Sequence, residues 1–461
     1  MVVVGLVALA VVASVPWIRT VRRGEPLDVL ELVYPFSLLY FFEYGGRMIW
    51  LLLRPGALAA QTPHPSVILA ALGPTLAVAV GGLAAYLGGY YGAGRWLRMR
   101  DRDPRSPLAP AVLACVAIGA FAVGVAARAP MLLRGWYMNF AAVSFAREVP
   151  PAVHSLGYLG ALTTVGYALA VIAFLSPHRP RWLGWVLFGV IGPLETLNTF
   201  LTGSKFAFLT LVLIPLVAVH YLRRSLRLQT LAIVTAAFLL VVVPLITAYR
   251  GVVAVDGPKA FALPESIPTL LGRVVSRFVT LSPSAYADAT MGVVVSRFIG
   301  IDAVASVVGA IPVLTPYLRG ESLLWAGKIL VPTVLWPEKY DALQEVLRPV
   351  SVMFGFSDFS RGGLSITLPG ELYWNFGPLG VLAGMGVVGV LQYALVWLLR
   401  QRGDPGRIGA YALVWVWVVL SFEGWFYVVF SNVLRILVMV LAAVWLAARL
   451  SVRREPAEAR A

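Results

Sequence analysis

A polar section of the chain ends in the stretch Leu368-Pro369-Gly370-Glu371-Leu372-Tyr373-Trp374-Asn375-Phe376-Gly377-Pro378-Leu379-Gly380. This section begins at Arg297, and Arg, Lys, Asp and Glu recur in it at short intervals. The chain around it is apolar: 59% of all residues are hydrophobic, 13% are charged, and the mean hydropathy is +0.83. Such a composition is typical of a polytopic membrane protein. We therefore predict an all-α fold in which one polar section interrupts a series of membrane spans.

The number of spans follows from the length of the apolar runs, because a helix needs about 20 apolar residues to cross a bilayer. Eleven runs qualify: 2–18, 30–53, 67–91, 110–127, 156–175, 182–201, 206–222, 231–249, 376–399, 408–422 and 433–448. We predict spans one to eight in 1–249, a large external loop region in 250–372, and spans nine to eleven with a basic tail in 373–461. Re-entry of 301–314 and 323–336 into the membrane is left open.

Basic residues are clustered after spans one, three, five, seven and nine, and after the last. These places hold more than half of the 37 Lys and Arg residues in a chain of net charge +15. Because Lys and Arg are enriched in cytoplasmic loops, we predict an external N-terminus and a cytoplasmic C-terminus. The positive net charge is then explained by the membrane topology. Nucleic-acid binding is excluded as the explanation of this charge. The region 250–372, with equal numbers of basic and acidic residues, is predicted to form short helices on the outer face.

Individual side chains give three further expectations. One predicted external helix has an apolar stripe, with Arg273 and Arg277 on another face. The members of that stripe are Leu271, Val274, Val275, Phe278 and Leu281. Within the second span, Glu43 and Arg47 have the spacing of a mutual salt bridge, and a place in a substrate cavity is the alternative. The single cysteine, Cys115, excludes an intrachain disulfide and is predicted to be buried and inert.

Several segments together resemble a known bacterial family. The most specific runs from Arg297-Phe298-x-Gly300-x-Asp302 through Pro332 and Trp336-Pro337-x-Lys339 to Gly370-Glu371-x-Tyr373-x-Asn375-Phe376-Gly377. The others are Leu201-Thr202-Gly203-Ser204-Lys205 before a helix ending in His220-Tyr221, and Pro26-Leu27 before the span with Arg47. The combination resembles the O-antigen polymerases, the Wzy-type oligosaccharide repeat-unit polymerases.

This resemblance implies a metal-independent membrane enzyme of the glycosyltransferase C type, without a cofactor. The enzyme would join repeat units on the outer side of the cytoplasmic membrane. Its donor would be a growing chain on undecaprenyl pyrophosphate, and its acceptor a single lipid-linked repeat unit. A chain-length regulator and a flippase are the implied partners, besides the membrane lipids.

Transfer from a lipid pyrophosphate requires cations that stabilise the leaving group. Guanidinium groups suit phosphate oxygens because they bind them in a bidentate manner. Arg297 is the leading candidate, with an ion pair to Asp302 as the alternative. The other candidates are Arg273, Arg277, Arg361, Arg250, Lys339 and Lys205. For these six residues, pyrophosphate binding has a competing interpretation: a solvated helix face, a surface ion pair or a position at the membrane interface.

The attacking sugar hydroxyl needs a base, and Glu371 is the first candidate. A structural role for Glu371, as a helix cap or an arginine partner, is the alternative. Asp302, Asp358 and His154 are competing bases. Tyr373, Trp374 and Asn375 are predicted to contact the sugar.

Two other functions are alternatives to repeat-unit polymerisation. An O-antigen-ligase-like transferase would share the lipid-pyrophosphate donor, and the sequence does not separate it from a polymerase. A transporter or flippase of lipid-linked glycans belongs to a different class. Against it, the two halves of the chain show no evident repeat, and polar residues are concentrated in one section rather than along the spans.

Overall fold

A computed structural model of the chain describes residues 2–54, 65–97, 108–133, 150–254, 267–287, 290, 298–353, 365–401 and 404–452. All regular elements in these ranges are helices. Nine of the helices described there are long and apolar enough to cross a membrane. They are Val2–Arg23, Pro65–Trp96, Pro110–Met131, Pro151–Leu175, Trp182–Leu201, Lys205–Leu222, Leu228–Val252, Thr367–Leu399 and Phe426–Val452. The protein is therefore all-helical, with the helices of a multi-pass membrane protein.

These nine helices correspond to nine of the eleven predicted spans. The remaining two predictions, 30–53 and 408–422, coincide with shorter elements. Residues 408–422 overlap the helix Pro405–Val419. Residues 30–53 contain two short α-helices, Val33–Phe41 and Arg47–Leu53, joined by the π-helical turn Phe42–Gly46.

Similar π-helical turns divide two of the long helices. Leu187–Ile191 joins Trp182–Val186 to Gly192–Leu201, and Phe238–Val242 joins Leu228–Ala237 to Val243–Ala254. A π-helical turn contains one residue more than an α-helical turn. Side chains on either side of it therefore do not follow the usual i,i+4 spacing.

The predicted loop region 250–372 contains short helices, as expected. They are Ile267–Val279, Gly300–Ala310, Glu321–Lys328 and Lys339–Met353. Gly300–Ala310 is almost completely buried, with Ile301 and Val304 in one apolar cluster and Val307 in another. This helix is thus part of the interior rather than a surface element.

The chain divides into two compact units. Unit 1 contains residues 1–100, 294–398 and 417–433, and unit 2 contains residues 101–293, 399–416 and 434–461. The section 250–372 is therefore shared between the two units. In unit 2, Cys115 is exposed on its helix, so the prediction that it is buried is wrong.

Two side-chain contacts join helices of unit 1 near their C-terminal ends. In unit 1, the guanidinium of Arg19 lies 4.0 Å from the centre of the Tyr91 ring. Also in unit 1, the Tyr393 hydroxyl donates to the Leu97 carbonyl at 3.2 Å. The contacts hold the C-terminal parts of Val2–Arg23, Pro65–Trp96 and Thr367–Leu399 together.

The helix Thr367–Leu399 of unit 1 is sharply kinked at Gly377. Its backbone there has φ +67° and ψ −160°, a conformation that is essentially restricted to glycine. Pro378 follows and has no N–H group for the helical ladder. The polar residues 371–375 therefore belong to a separate N-terminal segment of this helix.

Candidate functional site

Unit 2 gathers predicted pyrophosphate ligands from three separate segments. The Nε–H of Arg250 donates to the Gly203 carbonyl at 2.8 Å, next to Ser204 and Lys205. The Nη1–H of Arg277 donates to the Gly251 carbonyl at 3.1 Å, immediately after Arg250. Arg273 precedes Arg277 by one turn of the same helix. We call this group, Lys205, Arg250, Arg273 and Arg277, the cation cluster.

A tight turn fixes the first of these segments. Gly203 has φ +61°, a left-handed conformation that side chains other than glycine rarely adopt. The Ser204 N–H donates to the Thr202 hydroxyl at 3.2 Å, and the Ser204 hydroxyl accepts from the Ala207 N–H at 3.2 Å. Ser204 is thus an N-cap for the helix Lys205–Leu222. The positive end of this helix dipole adds to the charge of the cation cluster.

An apolar contact positions the arginine-bearing helix Ile267–Val279. Its Leu270 and Val274 are buried against Tyr249 and Val252. The predicted stripe is therefore partly wrong, because Val275 is 55% exposed. The spacing of apolar residues showed that the helix is amphipathic but did not identify which of them are buried. Arg277 and Arg250 are both exposed beside this contact.

Another polar group in unit 2 was missed by the sequence analysis. Glu195 is 1% exposed inside the helix Trp182–Leu201, two turns before the Thr202–Ser204 turn. It accepts from the Thr164 hydroxyl at 2.6 Å and from the Asn198 amide at 3.1 Å, and Arg128 is close enough to interact with it electrostatically. An acid within a predicted span is itself a signal of function and could have identified this group.

Unit 1 contains a buried ion pair instead. Arg47 donates through Nε at 3.0 Å and through Nη2 at 2.6 Å to one carboxylate oxygen of Asp302. The Arg47 guanidinium also lies 4.4 Å from the centre of the Trp50 ring. Glu43 packs against Gly300, where any added Cβ would overlap its carboxylate. Asp302, a candidate base, thus joins two distant parts of unit 1.

Glu371 is fully buried, and both of its carboxylate oxygens accept hydrogen bonds. Oε1 accepts from the Ser322 hydroxyl at 2.7 Å, and Oε2 accepts from the Phe426 N–H at 2.6 Å. Phe426 begins the helix Phe426–Val452, so Glu371 satisfies a backbone donor at that helix end. This geometry matches the structural alternative, a helix cap, more closely than a base exposed to substrate.

The predicted sugar contacts adjoin Glu371 but differ in exposure. Asn375 donates to the Ser322 hydroxyl and to the Glu371 carbonyl, both at 2.8 Å, and accepts from the Gly320 N–H at 2.7 Å. Trp374 is fully buried, and its Nε1–H donates to the Pro316 carbonyl at 3.3 Å. Tyr373 is only half-buried. It is the one of the three whose side chain is accessible to solvent.

The remaining candidates are Lys339 and four residues whose side chains the structure does not describe. Lys339 is fully buried, and its ammonium donates to the carbonyls of Ile329 and Val331, so it is placed for a structural role. His154 lies on the helix Pro151–Leu159, but its side chain is not among those described. Arg297, Asp358 and Arg361 lie outside the described residues.

The described residues thus contain two candidate regions, one in each unit. In the cation cluster of unit 2, Arg250 and Arg277 are exposed and Lys205 and Arg273 are half-buried, whereas the carboxylates of Asp302 and Glu371 in unit 1 serve internal contacts. Among the residues that the structure describes, no group of three His, Cys, Asp or Glu side chains is arranged to hold a metal ion. No protein-family model matches the chain, and no curated protein or solved structure matches it.

Proposed function

We propose that this protein is a membrane glycosyltransferase that polymerises oligosaccharide repeat units carried on undecaprenyl pyrophosphate. The proposal places it in the cytoplasmic membrane, with about eleven spans, a glycosyltransferase C-like fold, an external N-terminus and a cytoplasmic C-terminus. Its donor and acceptor are lipid-linked glycans, and a chain-length regulator and a flippase are its proposed partners.

The observation that carries this proposal is the cation cluster. Three segments that are distant in sequence bring basic side chains to the ends of the helices Trp182–Leu201, Lys205–Leu222 and Leu228–Val252. A lipid pyrophosphate in a bilayer holds its phosphates at this level, beside the helix ends. Arg277 is exposed and, within the described part of the chain, is held through one N–H, so its outer face is directed to solvent.

The cation cluster would act on the leaving group. When the bond between the sugar and the pyrophosphate breaks, negative charge develops on the pyrophosphate oxygens. Arginine donors fixed by backbone carbonyls are organised in advance and stabilise that charge without reorganising. The Ser204-capped helix end adds a favourable dipole. These groups supply the electrostatic part of the transfer.

The base for the acceptor hydroxyl is assigned less directly. Four candidate bases stay predictions: Glu371, Asp302, Asp358 and His154. The hydrogen bonds that Glu371 and Asp302 make favour structural roles for these two. Glu195 is an additional carboxylate in the same unit as the cation cluster. It precedes Gly203 by roughly 12 Å along the helix, on the side of the membrane interior, whereas the sugar extends away from the membrane; we therefore do not propose it as the base.

The test is a polymerisation assay with purified protein. Synthetic undecaprenyl-pyrophosphate oligosaccharide is supplied without ATP, and the products are sized on a gel. We expect a ladder that persists in EDTA and is lost in Arg277→Gln. The matched control is Arg224→Gln, an exposed arginine of unit 2 outside the cation cluster, which should keep the ladder.

Two outcomes would contradict the proposal in different ways. Transfer of one intact glycan to another acceptor, without chain growth, would indicate a ligase-like enzyme. Absence of any transfer, together with ATP-independent movement of the lipid across vesicles, would indicate a transporter.

A further inference from the structure

A groove in unit 1 lies outside both candidate regions. It is an open cavity of about 440 Å³ between the helices Val2–Arg23 and Pro65–Trp96. Its lining residues are Val12, Val15, Ala84, Leu87, Gly88, Tyr91, Gly92 and Arg95. The lining is apolar along most of its length and basic at one end.

Two glycines create the space on the longer helix. A Cβ atom added at Gly88 or at Gly92 would meet no atom within 4 Å. From Ala84 to Arg95 the helix rises roughly 16 Å, about half of the 30 Å hydrocarbon core of a bilayer. The groove therefore has the length of one leaflet.

The basic end of the groove carries arginines from both helices. Arg95 is exposed at the end of its helix. On the other helix, Arg19 follows the lining residue Val15 by one turn and lies over the ring of Tyr91 at 4.0 Å. Arg22 and Arg23 follow in the last turn of the first helix, where Arg23 is paired with Glu25 at 3.6 Å. An anionic group at this end would be attracted by several positive charges, whereas a neutral group would not.

We propose that this groove binds one anionic phospholipid. One acyl chain lies along Gly88 and Gly92, and the phosphate is placed between Arg95 and Arg19. A transmembrane helix of a partner is the competing occupant, since small residues also permit close helix packing. A partner's transmembrane helix would need an apolar surface that extends across the whole membrane. The groove covers one leaflet only, and arginines lie at its end. The lipid site is independent of the proposed enzymatic function.

Native mass spectrometry of the purified, detergent-solubilised protein tests this site. Phosphatidylglycerol and phosphatidylcholine with identical acyl chains are titrated separately. We expect tighter binding of phosphatidylglycerol, and a loss of about fivefold in its affinity for Arg95→Gln. Gly88→Leu fills the groove and should remove the bound lipid.

The matched control is Gly73→Leu, because Gly73 is on the same helix, lies outside the groove and also has no atom within 4 Å of an added Cβ. Size-exclusion chromatography confirms that each variant is folded. Equal affinity for the two lipids, or lipid binding that survives Gly88→Leu, would overturn the proposal. A protein dimer that Gly88→Leu abolishes, without lipid adducts, would assign the groove to helix packing instead.

Discussion

Removal of the Asp302 carboxylate should destabilise unit 1 strongly. Arg47 is 2% exposed, and it directs two N–H groups to one oxygen of Asp302. Asp302→Ala would leave the buried guanidinium without this carboxylate. Loss of one partner from a buried ion pair costs about 3–5 kcal/mol, since the remaining charge is still desolvated. The double variant Arg47→Met, Asp302→Leu should recover much of this loss, because it removes both charges and keeps apolar volume.

The assay is reversible unfolding of the purified protein in mixed micelles with increasing SDS, followed by tryptophan fluorescence. Glu25→Ala is the matched control, because it removes the carboxylate of an exposed pair with Arg23 at 3.6 Å. An exposed pair is worth about 0–1 kcal/mol, so this control should be close to wild type. If Asp302→Ala unfolds at the same SDS fraction as Glu25→Ala, the buried pair does not stabilise the fold and the reasoning is refuted.

Two further predictions concern the helix Thr367–Leu399. Glu371→Ala should destabilise the protein by about 3 kcal/mol or more, because the buried donors of Ser322 and Phe426 lose their acceptor. Hydrogen exchange should then accelerate at the Phe426 amide, and unchanged protection there would contradict the capping role. Gly377→Ala should cost about 1–3 kcal/mol because of its backbone conformation. Gly386→Ala on the same helix, with ordinary space around an added Cβ, should cost much less in the same SDS titration, and equal losses would contradict the kink.

The sequence predicted the membrane helices well, because the transfer of an apolar run into a bilayer depends mainly on the run itself. Nine predicted spans coincide with long apolar helices. Arg250 and Lys205, which the sequence analysis assigned to outer span ends, belong to neighbouring segments, because Arg250 donates to the carbonyl of Gly203, two residues before Lys205. The helix with Arg277 was predicted from its amphipathic pattern.

Partners across long sequence separations could not be predicted from spacing. Spacing offered Glu43, four residues away, as the partner of Arg47, but it gave no indication that Arg47 donates to the carboxylate of Asp302, 255 residues along the chain. Glu43 is itself part of the π-helical turn Phe42–Gly46, which Arg47 follows, so the α-helical spacing rule does not apply there. Similarly, nothing local to Glu371 indicates that the end of another helix approaches it. Such contacts depend on packing, which a single sequence does not reveal.

Binding of undecaprenyl pyrophosphate to the cation cluster is the most direct test of the proposed enzyme. The measurement compares wild type with the double variant Arg250→Gln, Arg277→Gln, using undecaprenyl pyrophosphate and, as control ligand, undecaprenol without phosphate. Loss of two charge-assisted interactions should weaken binding of the pyrophosphate lipid more than tenfold and leave undecaprenol binding unchanged. Equal affinity of wild type and double variant for the pyrophosphate lipid would contradict the assignment of the cation cluster.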